Sequence, residues 1–236
     1  MISFYSGTPG SGKSLKMAHD VVNWLKSFKK NVIANVEIDR DFILKGKPGG
    51  QFFYLSNDEF SPDYFYEYAI KNHVIGKEHQ TLIVVDEAQT IFSPSAVKLF
   101  TQINPKYRQE WLDFFTQHRH LGYDIILISQ FDRLIDPQIR CLFEYNYVHR
   151  KANNFGVIGQ ILSILHIPLF VQVQKWYGMN EVCGKSFYTY RKKYAKIYNS
   201  YAFREKVIEI LTKKYGKEKM AELMGFRINK VKEKVS

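Results

Sequence analysis

At 236 residues the chain suits one domain with an extension, or two small ones, and can bury a sizeable core. With 45% hydrophobic and 16% aromatic residues it is globular. Two cysteines, Cys141 and Cys183, make neither a disulfide framework nor metal-ligand spacing, so a reducing compartment is the default. The net charge of +11 is uneven: Arg191 to Ser236 holds 14 Lys/Arg against 5 Asp/Glu, a difference of +9. That balance suits an anionic partner, either nucleic acid or the inner leaflet of a membrane, and equally a solvated charged helix surface.

The chain opens on MISFYSGTPGSGKS, an apolar strand at Ile2, Phe4 and Tyr5 running into a glycine-rich loop. Gly7 to Ser14 fits G-x-x-x-x-G-K-S, the P-loop or Walker A pattern. Gly7, Gly10 and Gly12 let successive N–H groups turn inward around a phosphate chain. Lys13 supplies a positive charge for the β- and γ-phosphates, and the Ser14 hydroxyl is a ligand for Mg²⁺. Gly7, Thr8, Pro9, Gly10, Ser11, Gly12, Lys13, Ser14 and the following Leu15 are therefore candidate contacts for ATP. Leu15 to Phe28 continues as a helix whose positive dipole end faces the anion. No signal peptide is visible, since Met1 leads straight into the strand.

Asn31 to Val36 reads as a buried strand, completing a parallel strand–helix–strand unit with a right-handed crossover. Asp39 to Gly50 is polar and glycine-marked, hence loop, and Gln51 to Leu55 is a short strand. Ser61 to Lys71 carries Tyr64, Phe65, Tyr68 and Ala69 at helical spacing, a core-facing stripe. Thr81 to Glu87 (TLIVVDE) has the continuous aliphatic run of a central parallel strand covered on both faces. Asp86 and Glu87 emerge at its C-terminal end, where an open α/β sheet places its ligands. There Asp86 would hold Mg²⁺ and Glu87 would polarise the attacking water.

Pro105 to His120 reads as a helix with Trp111, Leu112, Phe114 and Phe115 around much of its circumference. Asp124 to Gln130 (DIILISQ) is another buried parallel strand, delivering Ser129 and Gln130 to the edge that holds Asp86 and Glu87. Gln130 can sense the γ-phosphate or orient the water. Arg119, Arg133 and Arg140 are open candidates for an arginine acting on a neighbouring subunit's γ-phosphate. The histidines, among them His73, His79, His118, His120, His149 and His166, show no metal spacing.

Beyond Arg140 the pattern changes to short aromatic pieces. Phe143 to Arg150, Leu169 to Tyr177 and Ser186 to Tyr190 read as antiparallel strands extending the sheet edge. Val157 to Val173 is the most apolar run, but interrupting polar residues and Pro168 make a buried helix or strand pair the better reading than a membrane span. Phe203 to Tyr215 and Lys217 to Met224 read as two short basic helices.

With the P-loop, TLIVVDEAQ and RHLGYDIILISQ in view, the sequence resembles the zonular-occludens-toxin-like (Zot) family of filamentous-phage assembly ATPases. The resemblance runs from Met1 to about Tyr201, taking in the Tyr-rich pieces at Tyr190 to Tyr194 and Ile197 to Tyr201. It implies an α/β P-loop NTPase of the additional-strand motor group, with a mostly parallel sheet, helices on both faces and an antiparallel β-rich extension. Residues 1–201 would form the ATPase domain (core 1–140, extension 141–201), and residues 202–236 a basic helical segment. By the same resemblance Lys13, Ser14 and Asp86 bind nucleotide and Mg²⁺, Glu87 is the catalytic carboxylate and Gln130 the sensor. Arg119 matches the position of a candidate trans-acting finger. Implied partners are a homo-oligomeric ring and phage coat or assembly proteins, while the basic C-terminal segment leaves DNA or an anionic membrane surface open as a further partner. The expected place is the host cytoplasm or the cytoplasmic face of the bacterial inner membrane. The family usually continues through a transmembrane helix, which is not evident here. Two other functions use the same parts: a viral DNA-packaging or translocating pump, and a nucleoside kinase. Glu87 beside Asp86 argues against the kinase, since it favours activating water.

Overall fold

A computed structural model describes residues 1–154, Gly159, Ile164, Leu165, residues 168–197 and Gly216. Two units are distinguished, Met1–Tyr198 and Asn199–Ser236, and Gly216 alone represents the second among the described residues. The expected tail helices at Phe203 to Tyr215 and Lys217 to Met224, and most of the apolar run before Pro168, lie outside the described residues.

The first unit is built on one eight-stranded sheet: β1 (Ile2–Ser6), β2 (Asn31–Ala34), β3 (Phe52–Tyr54), β4 (Thr81–Val85), β5 (Tyr123–Ile128), β6 (Tyr145–Lys151), β7 (Leu169–Trp176) and β8 (Val182–Thr189). Their order across the sheet is β3-β2-β4-β5-β1-β6-β7-β8. All neighbours from β3 to β6 are parallel, and β6–β7 and β7–β8 are antiparallel. The phosphate-loop strand β1 and the acidic strand β4 are thus not neighbours, because β5 lies between them. Nor do β1 and β2, consecutive in the chain, lie side by side.

The strand read at Phe143 to Arg150 as antiparallel is β6, and it runs parallel to β1, with Ser3 opposite Tyr145 and Ser6 opposite Val148. The chain reverses direction only between β6 and β7. A strand parallel to one neighbour and antiparallel to the other carries no alternation that distinguishes the two, and the half-buried pattern of β6 misleads for that reason.

Period-two alternation divides the strand side chains between two cores. On one face Ile83 and Val85 of β4 and Ile125 and Leu127 of β5 pack with helices α3 (Pro62–Asn72), α4 (Gln89–Phe92), α5 (Pro94–Ile103), α6 (Tyr107–Gln117) and α7 (Pro137–Arg140). On the other, Leu82, Val84, Ile126 and Ile128 pack with α1 (Lys13–Val22), α2 (Arg40–Leu44) and α8 (Lys192–Ile197). Helices therefore cover both faces, which is why TLIVV and DIILI are apolar without interruption. The first face is dense in aromatics: Phe65 stacks on Phe114 at 5.1 Å between ring centroids and meets Tyr123 edge-on at 5.8 Å. The Tyr123 hydroxyl donates to the Phe65 carbonyl at 2.8 Å, and burial pushes its ionisation far up.

Local chemistry sets the helix ends. Ser61 caps α3 by accepting from the Tyr64 N–H, Ser93 caps α5 by accepting from the Ala96 N–H, and Pro62 and Pro94 begin these helices. Asp39 likewise caps α2, so the segment read as loop from Asp39 to Gly50 holds a five-residue helix too short to show a period. Helices α4 and α5 also escape a reading by period, because Ser93-Pro94 divides them into pieces of 4 and 10 residues. Helix α1 runs on through a π-helical turn at Asn23–Ser27. No helix among the described residues is long and apolar enough to cross a membrane.

Candidate active site

Strand β1 ends at Ser6 and α1 begins at Lys13, so Gly7 to Gly12 form the loop between them. Gly7, Gly10 and Gly12 all have positive φ, at 145°, 75° and 97°. The Gly7 N–H donates to the Gln130 carbonyl at 3.0 Å, which joins the loop to the tip of β5. Lys13 folds back over the loop, its Nζ donating to the Gly7 carbonyl at 2.5 Å and to the Thr8 carbonyl at 3.3 Å. Burial lowers its pKa, while Glu87 and Asp86 act through space to raise it. The lysine and both carboxylates therefore share one electrostatic site, although β5 separates their strands.

Asp86 and Glu87 follow β4 on a turn secured from the β2 side. Asn35, just past β2, donates to the Asp86 carbonyl at 2.9 Å and accepts from the Asp86 N–H at 2.7 Å, as a neighbouring strand would. Its amide also donates to Asn57 Oδ1, Asn57 donates to Thr90 Oγ1, and that hydroxyl donates to the Glu87 carbonyl. Glu87 sits in the left-handed region at φ 49°, a conformation that costs a non-glycine residue on the order of 1 kcal/mol or more. The Asp86 carboxylate accepts from the Glu87 N–H at 3.0 Å. Sequence reasoning missed Asn35, Asn57 and Thr90, whose work depends on strands that meet only in the fold.

Gln130 lies beside Gly7 and Thr8 along a cavity of about 320 Å³. The arginines are placed differently. Arg119 lies before β5 and pairs with Glu144, which in turn accepts from the Ile2 N–H. These groups all mark the N-terminal edge of the parallel strands, about 20 Å from the P-loop by the length of β5. Arg133 stacks its guanidinium over the Phe131 ring at 5.0 Å, and Arg140 ends α7. Arg150 and Lys151, which sequence reasoning did not single out, line the cavity beside Gly7.

The loop suits a phosphate chain. The Ser11 hydroxyl is buried within it without a hydrogen-bond partner. A side chain at Gly7 would place its Cβ 2.4 Å from the His149 carbonyl oxygen, and one at Gly12 would place it 2.7 Å from the Phe170 ring. Among the described residues no cluster of three or more His, Cys, Asp or Glu could hold a metal. Mg²⁺ at a phosphate site needs only one or two protein oxygens, and Ser14 and Asp86 are of that hard-oxygen type.

The β6–β8 extension closes in on this loop. Tyr188 of β8 donates its hydroxyl to the Gly12 carbonyl at 3.2 Å and stacks on Phe170 of β7 at 5.4 Å. His149 of β6 is buried with Nδ1 3.3 Å from the Ser6 carbonyl and Nε2 unpartnered, and burial depresses its pKa to about 4. A second cavity, of about 440 Å³, opens between Leu15 and His19 of α1 and Tyr188, Arg191 and Tyr194.

A family model described as Zonular occludens toxin (Zot) matches residues 1–205. No curated protein matches the sequence. Among solved structures, the N-terminal domain of zonular occludens toxin from Neisseria meningitidis is 22% identical over 84% of this chain and 98% of its own, with a TM-score of 0.48. The genome packaging NTPase B204 from Sulfolobus turreted icosahedral virus 2, in complex with AMPPCP, is 15% identical over 77% of this chain and 94% of its own, at 0.43. A third solved structure, also an ATPase domain, is 9% identical over 84% of each chain, at 0.51. That last likeness, with β5 placed between the P-loop strand and the acidic strand, identifies the fold as a P-loop NTPase with the additional strand.

Proposed function

The chain belongs to the zonular occludens toxin (Zot) family, and from that premise we propose that it is a Mg-ATP-hydrolysing motor for assembly and extrusion of filamentous phage at the bacterial inner membrane. The observation that carries the catalytic part is geometric: the Gly7 N–H bonds the Gln130 carbonyl and the Ala88 N–H bonds the Ile128 carbonyl, so the loop bearing Lys13 and the turn bearing Asp86 and Glu87 are both tied to the tip of β5. In this reading the P-loop N–H groups from Gly7 to Ser14 hold the phosphates, and Lys13 turns from the loop carbonyls to the β- and γ-oxygens. Ser14 and Asp86 would hold Mg²⁺, which would supply positive charge beside the phosphates. Glu87 accepts the proton of the attacking water, and Gln130 orients that water. The adenine would lie past Leu15 in the cavity walled by Tyr188 and Arg191, and the extension would then be part of the nucleotide site.

Residues 1–201 form the ATPase domain and residues 202–236 a basic arm in this reading. Arg119, at the far edge of the sheet from its own P-loop, would act only on a neighbouring subunit's nucleotide, which requires an oligomer. Lys13→Ala removes the phosphate-bound charge and is expected to lower ATP turnover by at least about 10²–10³-fold, the range for losing one transition-state charge contact. Near-normal ATPase activity of that variant would overturn the assignment.

The basic excess from Arg191 onward, with Arg150 and Lys151 beside the P-loop, favours DNA as the alternative load. A DNA pump would show ATPase stimulation by DNA that falls steeply with salt, and an extrusion motor would not.

A further inference from the structure

Gln89 opens α4 two residues after Glu87, and its side-chain amide spans the tips of two strands. The Ser129 hydroxyl donates to Gln89 Oε1 at 2.6 Å, and Gln89 Nε2 donates to Glu87 Oε2 at 2.5 Å. The chemistry of the partners fixes which way the amide points. An ionised carboxylate only accepts, so the NH₂ must face Glu87, and the remaining carbonyl oxygen takes the hydroxyl proton.

The two ends of this bridge are anchored differently. Ser129 is buried, its N–H donates to the Tyr5 carbonyl at 3.1 Å, and the adjoining Gln130 carbonyl receives the Gly7 N–H. It therefore moves with the P-loop strand. Glu87 is exposed, on a left-handed turn whose backbone is tied toward β2 by Thr90, Asn57 and Asn35 and to the end of β5 by the Ala88 N–H, which donates to the Ile128 carbonyl at 2.8 Å. Those ties fix its main chain and leave the carboxylate free to rotate. Gln89 supplies the hold on the carboxylate, and it does so from the β5 side.

We propose that Gln89 is a positioning residue for hydrolysis: its amide sets the Glu87 carboxylate against the tip of β5, so that the place where water is activated follows the place where the phosphates are held. The inference rests on the reading of Glu87 as the group that activates water. Gln89 touches no phosphate in this role, so its loss acts on turnover and spares binding.

The test compares ATP turnover with the dissociation constant for a fluorescent ATP analogue in variants of the full chain. Gln89→Met keeps the shape and removes both hydrogen bonds. It is expected to lower kcat by about 10- to 100-fold, the worth of one hydrogen bond to a charged group, with nucleotide affinity within about twofold. Gln89→Glu keeps an acceptor for Ser129 but sets a carboxylate against Glu87, and is expected to lose at least as much. Ser129→Ala should lose less, and adding it to Gln89→Met should cost nothing further, because Ser129 acts through the amide. A Gln89→Met enzyme within about twofold of the parent kcat would overturn the proposal. So would independent, multiplying effects of the two substitutions, or equal losses in turnover and affinity. Glu87→Gln separates the two levels: if it abolishes turnover while Gln89→Met does not lower it, the positioning role alone falls, and if it turns over normally, the catalytic reading falls with it.

Discussion

The sheet has two halves that meet at β1. On one side β5 and β4 are buried along their whole length and bring Asp86, Glu87 and Gln130 toward the P-loop. On the other, β6 is half-buried over most of its length, β7 begins by alternating half-buried with buried, and β8 is largely exposed, yet they touch the same loop through a backbone oxygen and two rings. The difference separates two jobs. The parallel half carries Asp86, Glu87 and Gln130 at the ends of buried strands, and the antiparallel half packs against the loop from the other side.

The contrast is sharpest where the halves should respond differently to damage. Phe65→Ala empties the aromatic core beneath β4 and β5, where Phe65 is fully buried among Phe114, Trp111 and Tyr123. The expected cost is about 3–5 kcal/mol of folding stability, read from the denaturant midpoint. Gly12→Ala acts from the other side. Its Cβ would meet the Phe170 ring at 2.7 Å and the Tyr188 hydroxyl at 2.8 Å, on a residue at φ 97°. A loss of about 1–3 kcal/mol is expected, with nucleotide affinity falling as well. Phe170→Leu in the same chain should return part of both; no recovery would mean that the extension does not press on the loop.

The next effect is pH dependence. Burial holds His149 neutral, with a pKa near 4 against about 6.5 in the unfolded chain. Between those values the unfolded state binds the extra proton, so stability is full above about pH 6.5 and falls as the pH drops toward 4. The slope approaches about 1.4 kcal/mol per pH unit. In His149→Gln the fall over that window should be shallower by up to that slope, measured as urea midpoints at about pH 7.5, 6 and 5. Parallel curves for the two proteins would assign the acid sensitivity elsewhere, with His118 as the other buried histidine whose pKa burial lowers to about 4.

How much could be read beforehand follows the same division. The runs at Leu82 to Val85 and Ile125 to Ile128 are legible because strands covered on both faces must be apolar throughout, and the P-loop because its glycines answer to a backbone shape. The direction of β6 is not, since a half-buried run of this kind suits either orientation. Asn35 and Gln89 escape notice because an amide bridging two strands leaves no period and no spacing in the chain. The position of Arg119 could have been deduced: it lies four residues before β5 begins, so it belongs to the edge where parallel strands start, opposite the edge where they deliver their ligands.

The separation of β1 from β4 by a whole strand also has a mechanical side. Each step across a sheet adds about 20–25° of right-handed twist and about 4.8 Å of width. The phosphate seat and the acid pair thus face each other across about 10 Å and about 45° of accumulated rotation, with β5 as the hinge leaf between them. The acids therefore reach the loop obliquely, over the tip of β5, where two adjacent strands would have set them nearly side by side.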